Sequence, residues 1–319
     1  MSKKGKIGLL TAAATVLFLI LLVIVVGNAG LGRLVFPDGL KKSRYEKVEK
    51  GRFKGDAGIW LDSLLDNDAL KDTFIMIGDR RMHALYAKAS QPTTRTAFII
   101  HGWTSNAPGM LQIGYMYSHD LGYNIFLPDL NGHGKSGGKG AQMGWKDRLD
   151  CLEWIKVANE LFSLSGKQTQ MVVHGISMGA ATTMCISGEE TPSCVKAFVE
   201  DCGYTTVWDE VNDDQKDLPL AKVFVTMVDW MCQIRFGWGL KEASPLKQVA
   251  KSTLPMLFIH GDDDTFVPTW MVYPLYEAKQ GKKQLYLSPG SKHANSYWDH
   301  PEEYTKTVQE FLSTLIYKE

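Results

Sequence analysis

Apolar positions along this chain of 319 residues follow three different rhythms. The first is continuous. Ile7 to Val26 reads IGLLTAAATVLFLILLVIVV, without a single charge, after Lys3, Lys4 and Lys6. Twenty residues at about 1.5 Å each make a helix of about 30 Å, the thickness of a bilayer's hydrocarbon core, so a membrane-spanning signal anchor is expected. The second rhythm begins near residue 72, where short apolar runs recur: TFIMIG (73–78), MHALYAK (82–88), TAFII (96–100), YNIFL (123–127), QMVVH (170–174), KAFVE (196–200), PMLFIH (255–260) and QLYL (284–287). Runs of four to seven residues bounded by Gly, Pro or Asp predict strands, most of them buried on both faces. The first two flank Asp79-Arg80-Arg81 and read as an antiparallel hairpin. The third rhythm is helical. Leu149, Leu152, Ile155, Ala158 and Phe162 repeat every three or four residues, as do Tyr304, Val308, Phe311 and Leu315 after Pro301.

Alternation of strands and helices predicts an α/β fold, a mostly parallel central sheet with helices on both faces. One stretch departs from it. Residues 203–250 are about twice as long as one crossover helix needs, and they carry Trp208, Phe224, Met227, Trp230, Met231, Phe236 and Trp238. So aromatic an insertion is costly to leave exposed and is expected to fold as a cap. The expected organisation is an anchor over 1–30, a basic stem over 31–69 and one catalytic-sized domain over 70–319 with its cap at about 203–250.

Charge sharpens this division. The whole chain balances 35 Lys+Arg against 35 Asp+Glu, yet residues 1–54 hold eleven of the bases (Lys3, Lys4, Lys6, Arg33, Lys41, Lys42, Arg44, Lys47, Lys50, Arg52, Lys54) and three of the acids (Asp38, Glu46, Glu49). A basic leader therefore precedes a mildly acidic body, which argues against a nucleic-acid partner. Lysines and arginines flank the apolar run on both sides; the short tail before it is expected to stay cytoplasmic, leaving the body extracytoplasmic. Gly27-Asn28-Ala29 would suit signal cleavage, but the apolar run exceeds the usual length of a cleaved signal. Five cysteines (Cys151, Cys185, Cys194, Cys202, Cys232), odd in number and without a CxxC, read as buried thiols rather than disulfides or a metal site.

Chemistry concentrates at Gly175-Ile176-Ser177-Met178-Gly179, directly after the strand QMVVH and before the helical AATTMCI. A serine on so sharp a strand-to-helix turn needs small neighbours two residues to either side, and the turn raises its hydroxyl above the sheet at a helix N-terminus. Serine alone is a weak nucleophile and needs a base and an orienting acid. Candidates follow at strand ends: three aspartates in His260-Gly261-Asp262-Asp263-Asp264-Thr265-Phe266-Val267-Pro268, then Ser291-Lys292-His293-Ala294. The order Ser…Asp…His is that of nucleophile-elbow hydrolases.

With HGW (101–103), PDLNGHGKSGG (128–138), GISMG (175–179), HGDDDTFVP (260–268) and the His293 loop with PEEY (301–304), the chain resembles α/β-hydrolase fold serine hydrolases over roughly residues 70–317, close to the membrane-anchored esterase and serine-aminopeptidase-like branch. That resemblance implies Ser177 as nucleophile, Asp264 as the acid, the third of the three aspartates, and His293 as base. It also implies backbone N–H groups of Trp103 and Met178 as the oxyanion hole, with no metal and no cofactor. Trp208, Phe224, Trp230 and Trp238 are the candidate substrate-facing residues of the cap. The implied activity is hydrolysis of carboxylic esters or thioesters of apolar acyl or aryl groups, the partner being a small acyl substrate. A peptidase on the same triad, or a silent binding protein on the same fold, is the alternative.

Rival residues have other expected places. Asp201 also ends a strand; Asp262 and Asp263 are expected as solvated loop charges and His300 as a residue at the start of the last helix. His101 and His174 are expected to brace the loops near the serine. Gly132-His133-Gly134-Lys135-Ser136-Gly137 imitates a phosphate-binding loop, but Asp129 stands where that loop requires glycine.

Overall fold

Burial along the strands rises from the sheet's edges to its centre. Lys71–Ile77 at one edge are half-buried or exposed throughout, while Asn124–Pro128 and Met256–Gly261 are buried at every position. A strand buried on both faces needs apolar side chains in both directions and cover on both sides. The computed structural model, which describes residues 2–36, 53, 55–217 and 219–317, supplies that cover. Its strands are β1 (Lys71–Ile77), β2 (Arg80–Ala87), β3 (Arg95–Ile100), β4 (Asn124–Pro128), β5 (Gln170–Ile176), β6 (Val195–Asp201), β7 (Met256–Gly261) and β8 (Lys283–Ser288). They form one sheet in the order β1-β2-β4-β3-β5-β6-β7-β8. β2 runs antiparallel to both its neighbours, and the remaining pairs are parallel. Every strand read from the sequence is present. The hairpin turns one residue earlier than expected, at Gly78 (φ 61°) and Asp79, because glycine accepts the left-handed backbone there.

The helices are α1 (Lys3–Val35), α2 (Asp56–Asp66), α3 (Leu111–Tyr115), α4 (Asp147–Phe162), α5 (Met178–Ser187), α6 (Val207–Asp214), α7 (Ala221–Phe236), α8 (Pro245–Val249), α9 (Val272–Ala278), α10 (Ser296–Asp299) and α11 (Pro301–Ser313). Two cores result. On one face, Phe98 and Ile100 of β3 pack with residues of α4, α5, α7 and α8; on the other, Ala97 and Ile99 pack with α3, α11 and Leu61 of α2. All five cysteines are free and buried.

The anchor departs from the expected boundary at residue 30. α1 continues as one helix of 33 residues, about 50 Å long, well beyond the hydrocarbon thickness. Its most apolar stretch is wholly exposed, as a bilayer-crossing segment requires. Leu31 and Val35, in contrast, belong to the same core as α4 and α5. Of the expected basic stem, residues 37–52 and 54 lie outside the described residues; the rest includes the end of α1 and the helix α2. Residues 203–250 fold as α6, α7 and α8, and α7 packs beside α1: a Cβ at Gly27 would sit 2.6 Å from the Met227 carbonyl oxygen, and one at Gly30 would sit 2.7 Å from the Phe224 ring. Small residues let these two helices approach closely.

A buried acid at the end of β6 gives a testable property of this core. Glu200 is buried, one carboxyl oxygen accepts the Gly203 N–H at 3.0 Å and the other has no partner. Burial raises its pKa to about 8. An acid whose folded-state value lies above its unfolded one leaves stability intact below about 4.5. The fold then loses stability as pH climbs towards about 8. Glu200→Gln keeps the acceptor and removes the ionisation. Thermal unfolding should therefore show a stabilised variant at pH 8 and a smaller gain at pH 5, with about 2–4 °C for each kcal/mol recovered.

Candidate active site

Ser177 occupies the turn between β5 and α5 at φ 59°, ψ −122°, a conformation that costs an ordinary residue about 1–3 kcal/mol. Packing imposes it. A Cβ at Gly175 would overlap the Gly179 carbonyl, and one at Gly179 would overlap the Ile100 carbonyl. The Ser177 N–H donates to the Asp201 carbonyl at 2.8 Å, tying the elbow to β6. Gly102, in the loop after β3, comes so near that its Cβ would lie 3.2 Å from the Ser177 Cβ. This brings the backbone of Gly102-Trp103 beside the N-terminus of α5, which begins at Met178.

His293 lies in the loop after β8. Its Nε2 is 2.9 Å from Ser177 Oγ and its Nδ1 is 2.7 Å from Asp264 Oδ2. With Nδ1–H donating to the carboxylate, Nε2 is the acceptor that faces the serine hydroxyl. Asp264 Oδ1 accepts the N–H groups of Phe266 at 2.9 Å and Val267 at 3.0 Å. Burial pushes this carboxyl up, but hydrogen bonds and charge from His260 and His293 outweigh burial and hold its pKa at about 2. The acid is therefore a fixed negative charge behind the imidazole. The Phe266 ring packs against His293 with centroids 4.8 Å apart.

The rivals go elsewhere. Asp201 accepts the Tyr304 hydroxyl at 2.9 Å, and burial raises its pKa to about 6. Asp262 is exposed and accepts the Gly290 N–H, and Asp263 is exposed too. His300 precedes α11 and donates Nε2–H to the Pro289 carbonyl at 2.8 Å. His174 sits between Tyr117 and Tyr304, both at 3.0 Å, and burial lowers its pKa to about 3. His101 Nε2 accepts the Leu130 N–H at 3.0 Å, so this ring braces the loop at 128–138 against the serine loop. Inside that loop the Asp129 carboxylate accepts the N–H groups of Ala107 and Lys135 at 2.8 and 2.9 Å. Asp129 thus fills the space that a phosphate would need.

Two cavities meet at Ser177. One, of about 230 Å³, is walled mainly by apolar side chains: Leu34, Trp103, Met143, Met178, Tyr204, Val211, Phe266 and Val267, with Glu210 and Asp214 at one side. The other, of about 460 Å³, is lined by Gly102, Ser105, Gly109, Met110, Gln112, Asn295 and Trp298 among others. None of the four cap candidates reaches either cavity. Trp208 is half-buried beneath Lys241, Phe224 faces α1, Trp230 is exposed, and Trp238 is buried in the core. The cap's lining residues are instead Tyr204, Glu210, Val211 and Asp214. Three of these lie on α6, half of whose residues are acidic and whose one aromatic, Trp208, does not reach the cavity, which is why aromatic content pointed to the wrong side chains. Cys202 was also missed: its Sγ, an Asp264 oxygen and a His293 nitrogen lie within 4.8 Å of one another. Burial keeps that thiol neutral, so it packs behind the Asp264–His293 pair without competing for the proton.

Comparison with known proteins agrees with this architecture. The family model of the prolyl oligopeptidase family matches residues 112–318. The chain is 32% identical over 237 residues to the uncharacterized protein YqkD of Bacillus subtilis, covering 72% of this chain and 75% of that one. It is 24% identical over 206 residues to the lysophosphatidylserine lipase ABHD12 of Danio rerio, covering 63% of this chain but 51% of the relative. It also spans only 62% of the length of YfhR of Escherichia coli. An uncharacterized membrane protein of Saccharomyces cerevisiae is 21% identical over 216 residues, covering 66% of this chain and 70% of its own length. Among solved structures, an esterase of Pyrococcus furiosus superposes with a TM-score of 0.61 at 23% identity, over 80% of this chain and 96% of that one. The acylaminoacyl peptidase of Pyrococcus horikoshii does so with a TM-score of 0.56 at 16% identity, over 81% and 44%. The sheet order, the serine elbow and the family match together make this chain a member of the prolyl oligopeptidase family, a serine hydrolase of the α/β-hydrolase fold.

Proposed function

We propose that the protein hydrolyses carboxylic esters or thioesters of apolar acyl groups through Ser177, His293 and Asp264, with residues 70–319 as the hydrolase unit and 203–250 as its cap. One observation carries the reading: a continuous hydrogen-bonded line from Asp264 through His293 to Ser177 Oγ, at the junction of two unequal cavities. His293 takes the Ser177 proton as Oγ attacks the carbonyl carbon, and Asp264 holds the ring in the tautomer that leaves Nε2 free to accept. The backbone N–H groups of Met178 and Trp103 stabilise the tetrahedral oxyanion. His293 then protonates the leaving alcohol or thiol, and water repeats the sequence on the acyl-enzyme. The smaller, more apolar cavity takes the acyl chain and the wider one takes the leaving group.

A second reading, cleavage next to a free amino group, draws on Glu210. This residue is 8% exposed, lines the smaller cavity, and its Oε2 has no partner. Burial holds its carboxyl well above the usual range, hence neutral, until a cation enters. An ammonium group bound there would draw the proton off and be held by the carboxylate.

Wild-type protein should be labelled by a fluorophosphonate probe and Ser177→Ala should not; an unlabelled wild type overturns the enzyme reading. Asp264→Asn should cut turnover of a p-nitrophenyl ester about 10⁴-fold, by leaving the imidazole in the wrong tautomer, while Asp201→Asn keeps most of it. The reverse ranking would reassign the acid. For the second reading, Glu210→Gln should lower turnover of aminoacyl amides relative to simple acyl esters. An unchanged ratio removes the amino-group site.

A further inference from the structure

The end of the membrane helix is a wall of the catalytic cavity. Leu34 lines the smaller cavity together with Ser177, and its carbonyl accepts the indole N–H of Trp103 at 3.0 Å. One residue on, the Val35 carbonyl accepts the Ala141 N–H at 2.8 Å. Trp103 supplies one of the two backbone donors proposed for the oxyanion, so α1 touches the reaction centre through its wall and through this loop.

The position of the bilayer follows from the same helix. If Ile7–Val26 fill about 30 Å of hydrocarbon, the chain leaves the membrane near Gly27. Gly27 is where α7 begins its contact, against Met227 and Met231. Asn28 accepts a hydrogen bond from Arg235 at 2.9 Å. The stretch of α7 from Met227 to Arg235 is therefore held at the level where hydrocarbon gives way to headgroups. There α7 exposes Trp230 (50% exposed) and Ile234 (76%), while Leu220 (77%) and Val223 (47%) are exposed at its far end. A spacing of four residues puts Trp230 and Ile234 in one stripe along the helix. In water this stripe would be a liability; beside a membrane helix it has a ready partner, and tryptophan is favoured at that depth.

We propose that the part of α7 carrying Trp230 and Ile234 meets the bilayer surface and that the enzyme draws its substrate from the membrane. That substrate is an amphiphilic ester, whose acyl chain passes along the end of α1 into the cavity walled by Leu34. The inference rests on the hydrolase reading and adds to it the substrate class and the route of entry.

The test uses the full chain reconstituted in phosphatidylcholine vesicles. A long-chain acyl ester embedded in the same vesicles is compared with soluble p-nitrophenyl acetate. Wild type should hydrolyse both. W230K/I234K removes apolar surface outside the cavity. It should keep acetate turnover while losing about ten-fold or more on the embedded ester, because charge replaces side chains that bind the apolar layer. Equal turnover of the embedded ester by variant and wild type overturns the membrane route, as does a wild type that hydrolyses acetate alone. Leu34→Trp fills the wall position and should shift the preferred acyl length downwards in detergent; an unchanged preference overturns the wall. Fluorophosphonate labelling of each protein separates these failures from failure of the hydrolase reading, since an unlabelled wild type sinks the latter alone.

Discussion

The close approach of backbone at Gly175, Gly179 and Ile100 is the constraint from which the site grows. Carbonyl oxygens stand where side chains would begin, so β5, α5 and the end of β3 can meet only if those two positions are glycine. Their meeting forces Ser177 to φ 59° and turns its hydroxyl away from the sheet. It also draws Gly102-Trp103 against the first turn of α5. The strain is local. The Ser177 N–H bond to the Asp201 carbonyl and the Ala181 N–H bond back to the Ser177 carbonyl help to hold the turn.

Around that turn the protein keeps several ionisable groups out of water and assigns them opposite fates. Asp264 stays ionised, at about 2, because it gathers two backbone donors and two imidazoles. Asp201 and Glu200, only a strand away, are raised to about 6 and about 8 because each receives little compensation for burial. The fixed charge thus sits behind His293, whereas Glu200 is mostly neutral at pH 7 and Asp201 is engaged by the Tyr304 hydroxyl. Tyr304 and His174 extend the hydrogen bonds of Asp201 away from the serine, which makes that aspartate part of the scaffold.

The fold was legible because its signals are local. Apolar runs bounded by turn residues located all eight strands, and GISMG located the elbow. The resemblance chose Asp264 among three adjacent aspartates, and the geometry separates them on the same line: only Asp264 is buried under His293, with Asp262 and Asp263 facing solvent. What the sequence hid was non-local. Trp208, Phe224, Trp230 and Trp238 promised a cap facing substrate, but the directions of Phe224 and Trp230 depend on what α7 packs against, and that is α1, some two hundred residues earlier in the chain. Leu34 carries no motif at all. Its place in the cavity follows from the register of one long helix against another, which no window of sequence contains.

The two carbonyls at the end of α1 give the anchor a role in the assembly of the body. Trp103 and Ala141 belong to loops on either side of the serine, and both find their acceptors on a helix synthesised before either of them. A body released from its anchor by cutting below Val35 would not be a smaller version of the same enzyme. It would hold two orphaned donors, each costing about 1–3 kcal/mol where water does not replace the lost acceptor, and an opening where Leu34 closes the cavity. The end of α1 is thus structurally part of the cavity it closes.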